Sequence, residues 1–169
     1  MKWILLSAAA LAAMVVIVTL IGAALPRDHV VSREARLPVP LERVWAAITN
    51  VEAFPAWRSD VKRIDRLPDS GGQTTWIEHT SSDRVTLAIE RMEAPRVLVV
   101  RIADPDLPFG GTWTYEIAEA PGGSTLRVTE RGEVYNPIFR FVARFVVGHD
   151  KTLVTYLHDL ERFLSAQVE

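Results

Sequence analysis

Cysteine is absent from the sequence, and so are the short motifs that mark common catalytic sites. The absence of cysteine excludes disulfides, thiolate zinc sites, iron–sulfur clusters, cysteine nucleophiles and a lipid-anchor cysteine. There is no nucleophile elbow, phosphate-binding glycine loop or metalloprotease helix, and the four histidines never stand at a metal-pair spacing. We therefore expect no metal ion and no cofactor.

A strong net charge is also missing. The 169 residues carry a formal net charge of -2, which argues against a general nucleic-acid binder, so we expect no nucleic-acid partner. Hydrophobic residues make up 49% of the chain and charged residues 24%. This balance excludes intrinsic disorder over most of the chain and fits one packed domain.

Residues 3–25 contain no charged side chain. A helix of this length rises about 1.5 Å per residue and reaches roughly 35 Å, enough to cross a hydrocarbon core of about 30 Å. Signal peptides have shorter apolar regions of about 7–15 residues, so an uncleaved anchor is favoured over a signal cut near residues 22–24. A soluble core rarely buries a helix that is apolar on every face. The sequence predicts a membrane anchor at residues 1–26 and one domain at residues 27–169.

The flanking charges leave the orientation of this anchor open. Arg27, Arg33 and Arg36 follow the apolar run, and basic residues on that side favour a body in the cytoplasm. A two-residue head before a long apolar run is instead typical of an export signal, and long domains translocate largely regardless of flanking charge. We expect a single-pass protein, with a slight preference for an exported body.

The domain begins with a predicted strand at residues 29–37 and two predicted helices. Pro38 and Pro40 bracket the start of the first helix, whose apolar residues recur at helical spacing. Asn50 is placed to cap the second helix, which Pro55 shortens. The period then changes to two, and turn residues separate the segments. The predicted strands are residues 61–67, 74–81, 84–93, 96–103, 112–119 and 124–134.

The short connections between these strands imply an antiparallel sheet, and the alternation predicts one apolar face. That face carries Val85, Leu87, Ile89, Trp113, Tyr115, Ile117, Leu126 and Val128. Phe109, Gly110 and Gly111 precede it as either a lid or a glycine-rich turn.

Two helical segments are predicted to close the chain. Asn136-Pro137 signals the start of a helix over residues 137–147. Its phenylalanines and arginines either lie at a bilayer surface or turn inward over a cavity, with the arginines in solvent. After a bend at Gly148, the pattern resumes from His149 to about Ala166. There, one apolar stripe is predicted to pack on the sheet; it consists of Leu153, Tyr156, Leu157, Leu160, Phe163 and Leu164.

The order of elements resembles the START-like superfamily, also described as the Bet v 1-like or helix-grip fold. Within that superfamily the chain is similar to the bacterial polyketide cyclase/dehydrase and lipid-transport family. The resemblance spans about residues 30–166 and rests on PVPLERVWAAITNVEAFPAW, on GGTWTYEIAEAPGGSTLRVTERGEV and on the long final helix. It implies an α+β fold in which a curved antiparallel sheet of about seven strands wraps round that helix. It also implies that residues 27–169 are a ligand-binding domain, with a cavity between sheet and helix. The N-terminal apolar run departs from the family, since most members are wholly soluble.

Candidate ligand contacts follow from the apolar faces and this implied cavity. They are Leu87, Ile89, Trp113, Tyr115, Ile117, Val128, Glu130, Phe145, Tyr156 and Leu160. Trp113 and Tyr115 either stack on a flat ligand or serve as core aromatics.

Glu130 is the candidate catalytic residue, because it continues the face of Leu126 and Val128. Burial in an apolar cavity would favour its protonated form and suit acid–base chemistry. The alternatives are that the strand twists outward at its end, or that Arg91 or Arg101 pairs with Glu130.

These features predict a membrane-tethered module that binds or transfers an apolar small molecule, such as a lipid, a quinone or a polyketide-like compound. One alternative is a cyclase or dehydratase with Glu130 as acid or base and Tyr115 as an orienting donor. Another is an interaction domain with a filled core. The ligand and the oligomeric state stay open, because shape rather than a motif specifies an apolar pocket.

Deletion of residues 1–26 tests the division into anchor and domain. We expect the shortened chain to be soluble and to unfold in one cooperative transition, because its core does not use the apolar run. Urea unfolding followed by circular dichroism measures this, with the full chain in detergent as the reference. Aggregation of the shortened chain under all conditions would contradict the division.

Overall fold

Seven strands form a single antiparallel sheet in the order β1-β7-β6-β5-β4-β3-β2. The structure is a computed structural model that describes residues 2–68, 72–81, 83–147 and 151–166. The strands are β1 (Asp28–Leu37), β2 (Val61–Arg66), β3 (Thr75–Thr80), β4 (Arg84–Glu93), β5 (Val97–Ile102), β6 (Phe109–Ala120) and β7 (Gly123–Val134). Each end lies within one residue of its prediction, except that β6 begins earlier. The predicted α+β helix-grip fold is confirmed.

Five α-helices accompany the sheet within the described residues. They are α1 (Lys2–Ala24), α2 (Leu41–Thr49), α3 (Phe54–Trp57), α4 (Pro137–Val142) and α5 (Lys151–Ser165). The Asn136 side chain accepts a hydrogen bond of 2.9 Å from the Ile138 amide and caps α4 as predicted. Asn50 makes no such bond; a 3-10 turn at Val51–Ala53 precedes α3 instead. The predicted bend at Gly148 and start at His149 lie outside the described residues, and a π-helical turn at Ala143–Val147 follows α4.

The predicted lid or turn at residues 109–111 is wrong, because these residues form the start of β6. Phe109 pairs with Val134, and Gly111 pairs with Gly132. Gly111 has a φ of 132°, and a Cβ there would overlap the Arg131 carbonyl oxygen. The glycines therefore admit a close approach of two strands rather than a loop.

The core lies between the inner face of the sheet and α5. Leu153, Leu160 and Leu164 of α5 are almost completely buried, as the predicted stripe requires. The sheet contributes buried residues at the predicted alternation: Tyr115, Ile117, Leu126 and Val128. α5 also packs against β1, α2 and α3, so it covers the β1 side of the sheet.

A buried carboxylate fastens α5 to the segment after α3. Asp159 accepts hydrogen bonds from the Ser59 amide (2.7 Å) and the Ser59 hydroxyl (2.6 Å). Burial alone would raise the pKa of Asp159, but the bonds from Ser59 and the charge of Arg162 outweigh it and lower the pKa. This contribution to stability is present above the ordinary carboxyl pKa and is lost as the pH falls through the folded-state value.

α1 is long and apolar enough to cross a membrane. Almost all of its surface is exposed, but its last turns pack against α4. Gly22 is buried, and a Cβ at that position would overlap the Pro137 carbonyl oxygen.

The substitution Leu160→Ala tests the packing of α5. We expect it to lower the free energy of unfolding by about 2–5 kcal/mol, because it leaves a cavity in the core. Val154→Ala, on the exposed face of the same helix, should change it by less than about 0.5 kcal/mol. Urea unfolding of the full chain in detergent measures both values. Equal losses would mean that a different face of α5 packs on the sheet.

Candidate functional site

Aromatic side chains from α3, β6 and α5 meet between the sheet and the final helix. The Tyr156 ring lies 5.4 Å from that of Trp57, 5.7 Å from Trp113 and 5.6 Å from Tyr115, centroid to centroid. Trp57 also stacks on Phe163 at 5.8 Å. We call these five residues the aromatic cluster; it joins the sheet to α5 on the inner side.

A buried arginine borders the aromatic cluster. Arg58 follows α3 directly, and the extended backbone there turns its side chain inward. Its Nη1 donates to Glu78 Oε1 at 2.9 Å, and its Nε and Nη2 donate to the Asp60 carboxylate at 3.2 and 2.8 Å. The guanidinium also lies over the Tyr156 ring, 5.4 Å from its centroid. Trp76 Nε1 donates to the same Glu78 oxygen at 3.1 Å.

The ionisation states in this region follow from burial and these contacts. Burial alone would lower the pKa of Arg58, but Glu78 and Asp60 outweigh it and raise the pKa above its ordinary value. Burial raises the pKa of Tyr115 and that of Tyr156, and Arg58 only partly opposes it. At neutral pH the site therefore holds the Arg58 cation together with its two carboxylate partners, Glu78 and Asp60, and two protonated phenols, which can donate hydrogen bonds.

The Tyr156 hydroxyl is buried without a hydrogen-bond partner among the described residues. A hydrogen-bonding interaction between the two phenols raises the pKa of Tyr115 and lowers that of Tyr156, although the contact falls short of full hydrogen-bond geometry. A buried polar group without a partner costs about 1–3 kcal/mol, and such groups are rare in native proteins. The hydroxyl is therefore a donor that a buried water molecule or another polar atom would stabilise.

Beside the aromatic cluster, part of the sheet's inner face is not fully covered. Leu87, Ile89 and Trp113 are only half-buried, although they pack against the core. Leu98 and Tyr115, on the neighbouring strands, are buried. Because α5 covers the β1 side, the inner face along β4 and the first half of β6 forms an apolar surface next to the cluster.

Glu130 lies on the inner face, opposite Trp113 in β6. Its Oε1 is 3.3 Å from Nε2 of His29. Burial lowers the pKa of His29, an effect that Asp28 partly offsets, so the imidazole is neutral at pH 7 and the contact is a hydrogen bond. The two arginines that sequence reasoning offered as partners bind elsewhere: Arg91 pairs with Glu93, and Arg101 with Glu90.

The structure brings most of the sequence-predicted site residues together. Trp113, Tyr115 and Tyr156 form part of the aromatic cluster, and Leu87 and Ile89 lie beside it on the sheet. The buried core below holds Ile117, Val128 and Leu160. Phe145 stands apart: it is 59% exposed and contacts Phe141 at 4.9 Å.

Sequence reasoning missed Arg58 and Glu78. The signal for Glu78 was the period of two in β3, where Trp76 and Glu78 share one face and His79 takes the other. Once Trp76 is assigned to the core, Glu78 must also point inward. His79 lies on the outer face and bonds to Asp65 at 2.8 Å. Nothing in the pattern around Arg58 predicts its inward turn.

Among the described residues, surface clefts lie away from the aromatic cluster. One of about 380 Å³ adjoins the start of α2, and one of about 390 Å³ lies between the β5–β6 connection and Tyr135. The third, of about 220 Å³, lies where α1 meets the domain. Between the sheet and α5, the aromatic side chains occupy the interior.

Comparison with solved structures gives the same fold at low sequence identity. The Zhui aromatase/cyclase from Streptomyces sp. R1128 has a TM-score of 0.70 and 12% identity, over 84% of this chain and 96% of its own. A norcoclaurine synthase point mutant from Thalictrum flavum, in complex with a transition-state analogue, has a TM-score of 0.67 and 10% identity, over 84% and 97%. A START superfamily protein from Mycobacterium smegmatis has a TM-score of 0.62 and 17% identity, over 82% and 99%.

At these identities the likeness shows the fold alone. No curated protein matches the chain at a significant level of sequence similarity. The model of the family described as polyketide cyclase / dehydrase and lipid transport matches residues 28–155, which begin with the first residue of β1. Because this match covers more than half of the chain, and because its solved neighbours share the START-like fold, the resemblance inferred from the sequence is confirmed: the chain belongs to the polyketide cyclase / dehydrase and lipid transport family.

Proposed function

We propose that the protein is a membrane-tethered module that binds an apolar small molecule carrying at least one polar oxygen. The ligand lies between the aromatic cluster and the half-covered inner face along β4. The observation that carries this proposal is the Tyr156 hydroxyl, which is buried and unpaired beside the Arg58 guanidinium. A filled, purely structural core has no use for such a donor.

The chemistry of the site favours a flat ligand with a carbonyl or hydroxyl oxygen. The aromatic rings of the cluster can pack against the planar rings of a ligand, either stacked or edge to face. The Tyr156 and Tyr115 phenols supply hydrogen-bond donors for that oxygen. A quinone-like or polyketide-like compound meets these conditions better than a saturated acyl chain, which has no group for the phenols.

Entry of the ligand requires a small rearrangement of side chains. Trp113 and Phe163 are the half-buried members of the aromatic cluster, and they lie between its interior and solvent. Rotation of Trp113 would join the apolar surface of Leu87 and Ile89 to the Tyr156 hydroxyl. Related folds bind small molecules, as the complex of the norcoclaurine synthase mutant illustrates, and this supports a ligand in the corresponding interior.

The tether in this proposal is α1, which crosses the membrane. Its length, its hydropathy and its exposed surface support this role. An apolar ligand partitions into the bilayer, so a tethered module meets it at high local concentration. An exported position of the domain stays a prediction.

The substitution Tyr156→Phe tests the binding site. We use two planar probes: menadione, a naphthoquinone with carbonyl oxygens, and 2-methylnaphthalene, which lacks them. Tyr156→Phe should weaken menadione binding about tenfold, equivalent to about 1.4 kcal/mol, and leave 2-methylnaphthalene binding unchanged. The free energy of unfolding should stay the same or rise, since the lost hydroxyl has no partner. Ligand affinity is measured by quenching of tryptophan fluorescence in the full chain.

Tyr135→Phe is the matched control, because Tyr135 is exposed and far from the aromatic cluster. It should leave the affinity for both probes unchanged. Failure of both probes to bind would favour an interaction domain with a filled core. Equal effects of Tyr156→Phe on both probes would mean that its hydroxyl does not contact the ligand.

The substitution Glu130→Gln separates a binder from an enzyme. The amide keeps the shape of the side chain and a hydrogen bond to His29, so menadione affinity should change by less than about tenfold. Glu133→Gln, on the exposed side of the same strand, is the control. An acid or base role of Glu130 would instead appear as turnover that falls by about 100-fold while binding is retained. That result would favour a cyclase or dehydratase.

A further inference from the structure

The end of α1 is held tightly against α4. Gly22 leaves no room for a side chain against Pro137, so the two backbones are in direct contact. The Arg140 Nη1 donates to the Leu25 carbonyl oxygen at 2.9 Å, which satisfies a terminal carbonyl of α1 and opposes the negative end of its dipole. α4 is therefore fixed at the level where the apolar helix ends.

Large apolar side chains are exposed on α4 and on the π-helical turn that follows it. Their exposed fractions range from 40% to 72%. The residues are Ile138, Phe139, Phe145 and Val146. Exposure of these apolar side chains to water is unfavourable, whereas the boundary between the headgroups and the acyl chains of a bilayer can bury them. Since α1 crosses the membrane in our proposal, its last turn brings α4 to that boundary.

A cleft of about 220 Å³ opens at the same junction. Arg27, Arg140 and Arg144 line it, together with one carboxylate, Asp28. Burial lowers the pKa of His29, the remaining titratable residue of the lining, so it adds no charge at pH 7. The cleft therefore carries a net positive charge.

The arginines of this cleft have N–H donors that the described residues do not occupy. In the part of the chain that the structure describes, no carboxylate lies within ion-pair distance of Arg27, Arg140 or Arg144. Arg140 Nη1 and Nη2 donate to the Leu25 and Tyr135 carbonyl oxygens, whereas its Nε is buried and has no hydrogen-bond partner there. Arg27 lies over the Tyr135 ring, which leaves the edge of its guanidinium available. An anion in the cleft would receive charge-assisted hydrogen bonds from these groups.

We propose that this cleft binds the anionic phosphate headgroup of a phospholipid from the bilayer that α1 crosses. The assignment rests on the tether proposed above. The phosphate oxygens accept hydrogen bonds from Arg27, Arg140 and Arg144, and the acyl chains lie along Phe139 and Phe145. The adjoining exposed apolar side chains favour a lipid over a soluble phosphate, which has no tails to cover them.

Native mass spectrometry of the full chain in dodecyl maltoside tests this site. The probes are dioleoyl phosphatidylglycerol and dioleoyl phosphatidylcholine, titrated separately. We expect one phosphatidylglycerol per chain, bound about tenfold more tightly than phosphatidylcholine. Arg27→Gln and Arg144→Gln should each lower the phosphatidylglycerol affinity about three- to tenfold and leave the phosphatidylcholine affinity unchanged. Arg84→Gln, an exposed arginine at the start of β4, should change neither.

Three outcomes would overturn the assignment. If the two lipids bind with equal affinity and neither Arg27→Gln nor Arg144→Gln has an effect, the cleft does not bind a lipid headgroup. Displacement of phosphatidylglycerol by millimolar inorganic phosphate would make it a site for a soluble anion. If alkaline carbonate extracts the full chain from membranes, both the proposed tether and the proposed lipid site are wrong. If the chain stays in the membrane but shows no lipid preference, only the lipid site is wrong.

Discussion

The interior of this protein depends on one buried ion pair, between Arg58 and Glu78. A guanidinium and a carboxylate that leave water lose several kcal/mol of solvation each, and only close pairing and further hydrogen bonds offset that loss. Asp60, Trp76 and the Tyr156 ring supply those further contacts. The pair consequently ties the end of α3 to β3 and to α5, three elements that are far apart in the sequence.

This constraint also gives the interior its chemical character. An apolar core of the same shape would be as stable or more so, because well-packed hydrophobic residues often replace buried ion pairs without loss. Here the ion pair lies beside two phenols, and the Tyr156 hydroxyl has no hydrogen-bond partner among the described residues. The aromatic side chains of the cluster thus pack beside a group of buried polar atoms rather than forming a purely apolar core.

The interior and the junction between α1 and the rest of the chain are connected through β1. His29 lines the cleft at the end of α1 and also bonds to Glu130 on the inner face of the sheet. Glu130 in turn lies opposite Trp113 of the aromatic cluster. Gly132 makes this possible, since a Cβ there would overlap the His29 ring. These contacts therefore run from the junction at the end of α1 to the aromatic cluster.

The sequence by itself determined the secondary structure, the apolar face of the sheet and the stripe of α5, because a period of two or 3.6 residues is a local property. It also determined the charge-free length of α1 and the cap at Asn136. It did not determine which face of β3 is buried, the strand at Phe109 or the inward turn of Arg58. Those features depend on partners that are distant in the chain: Gly111 needs the backbone of β7, and Arg58 needs Glu78. Only the tertiary structure brings such partners together, and with them the buried polar atoms of the site and the basic cleft beside α1.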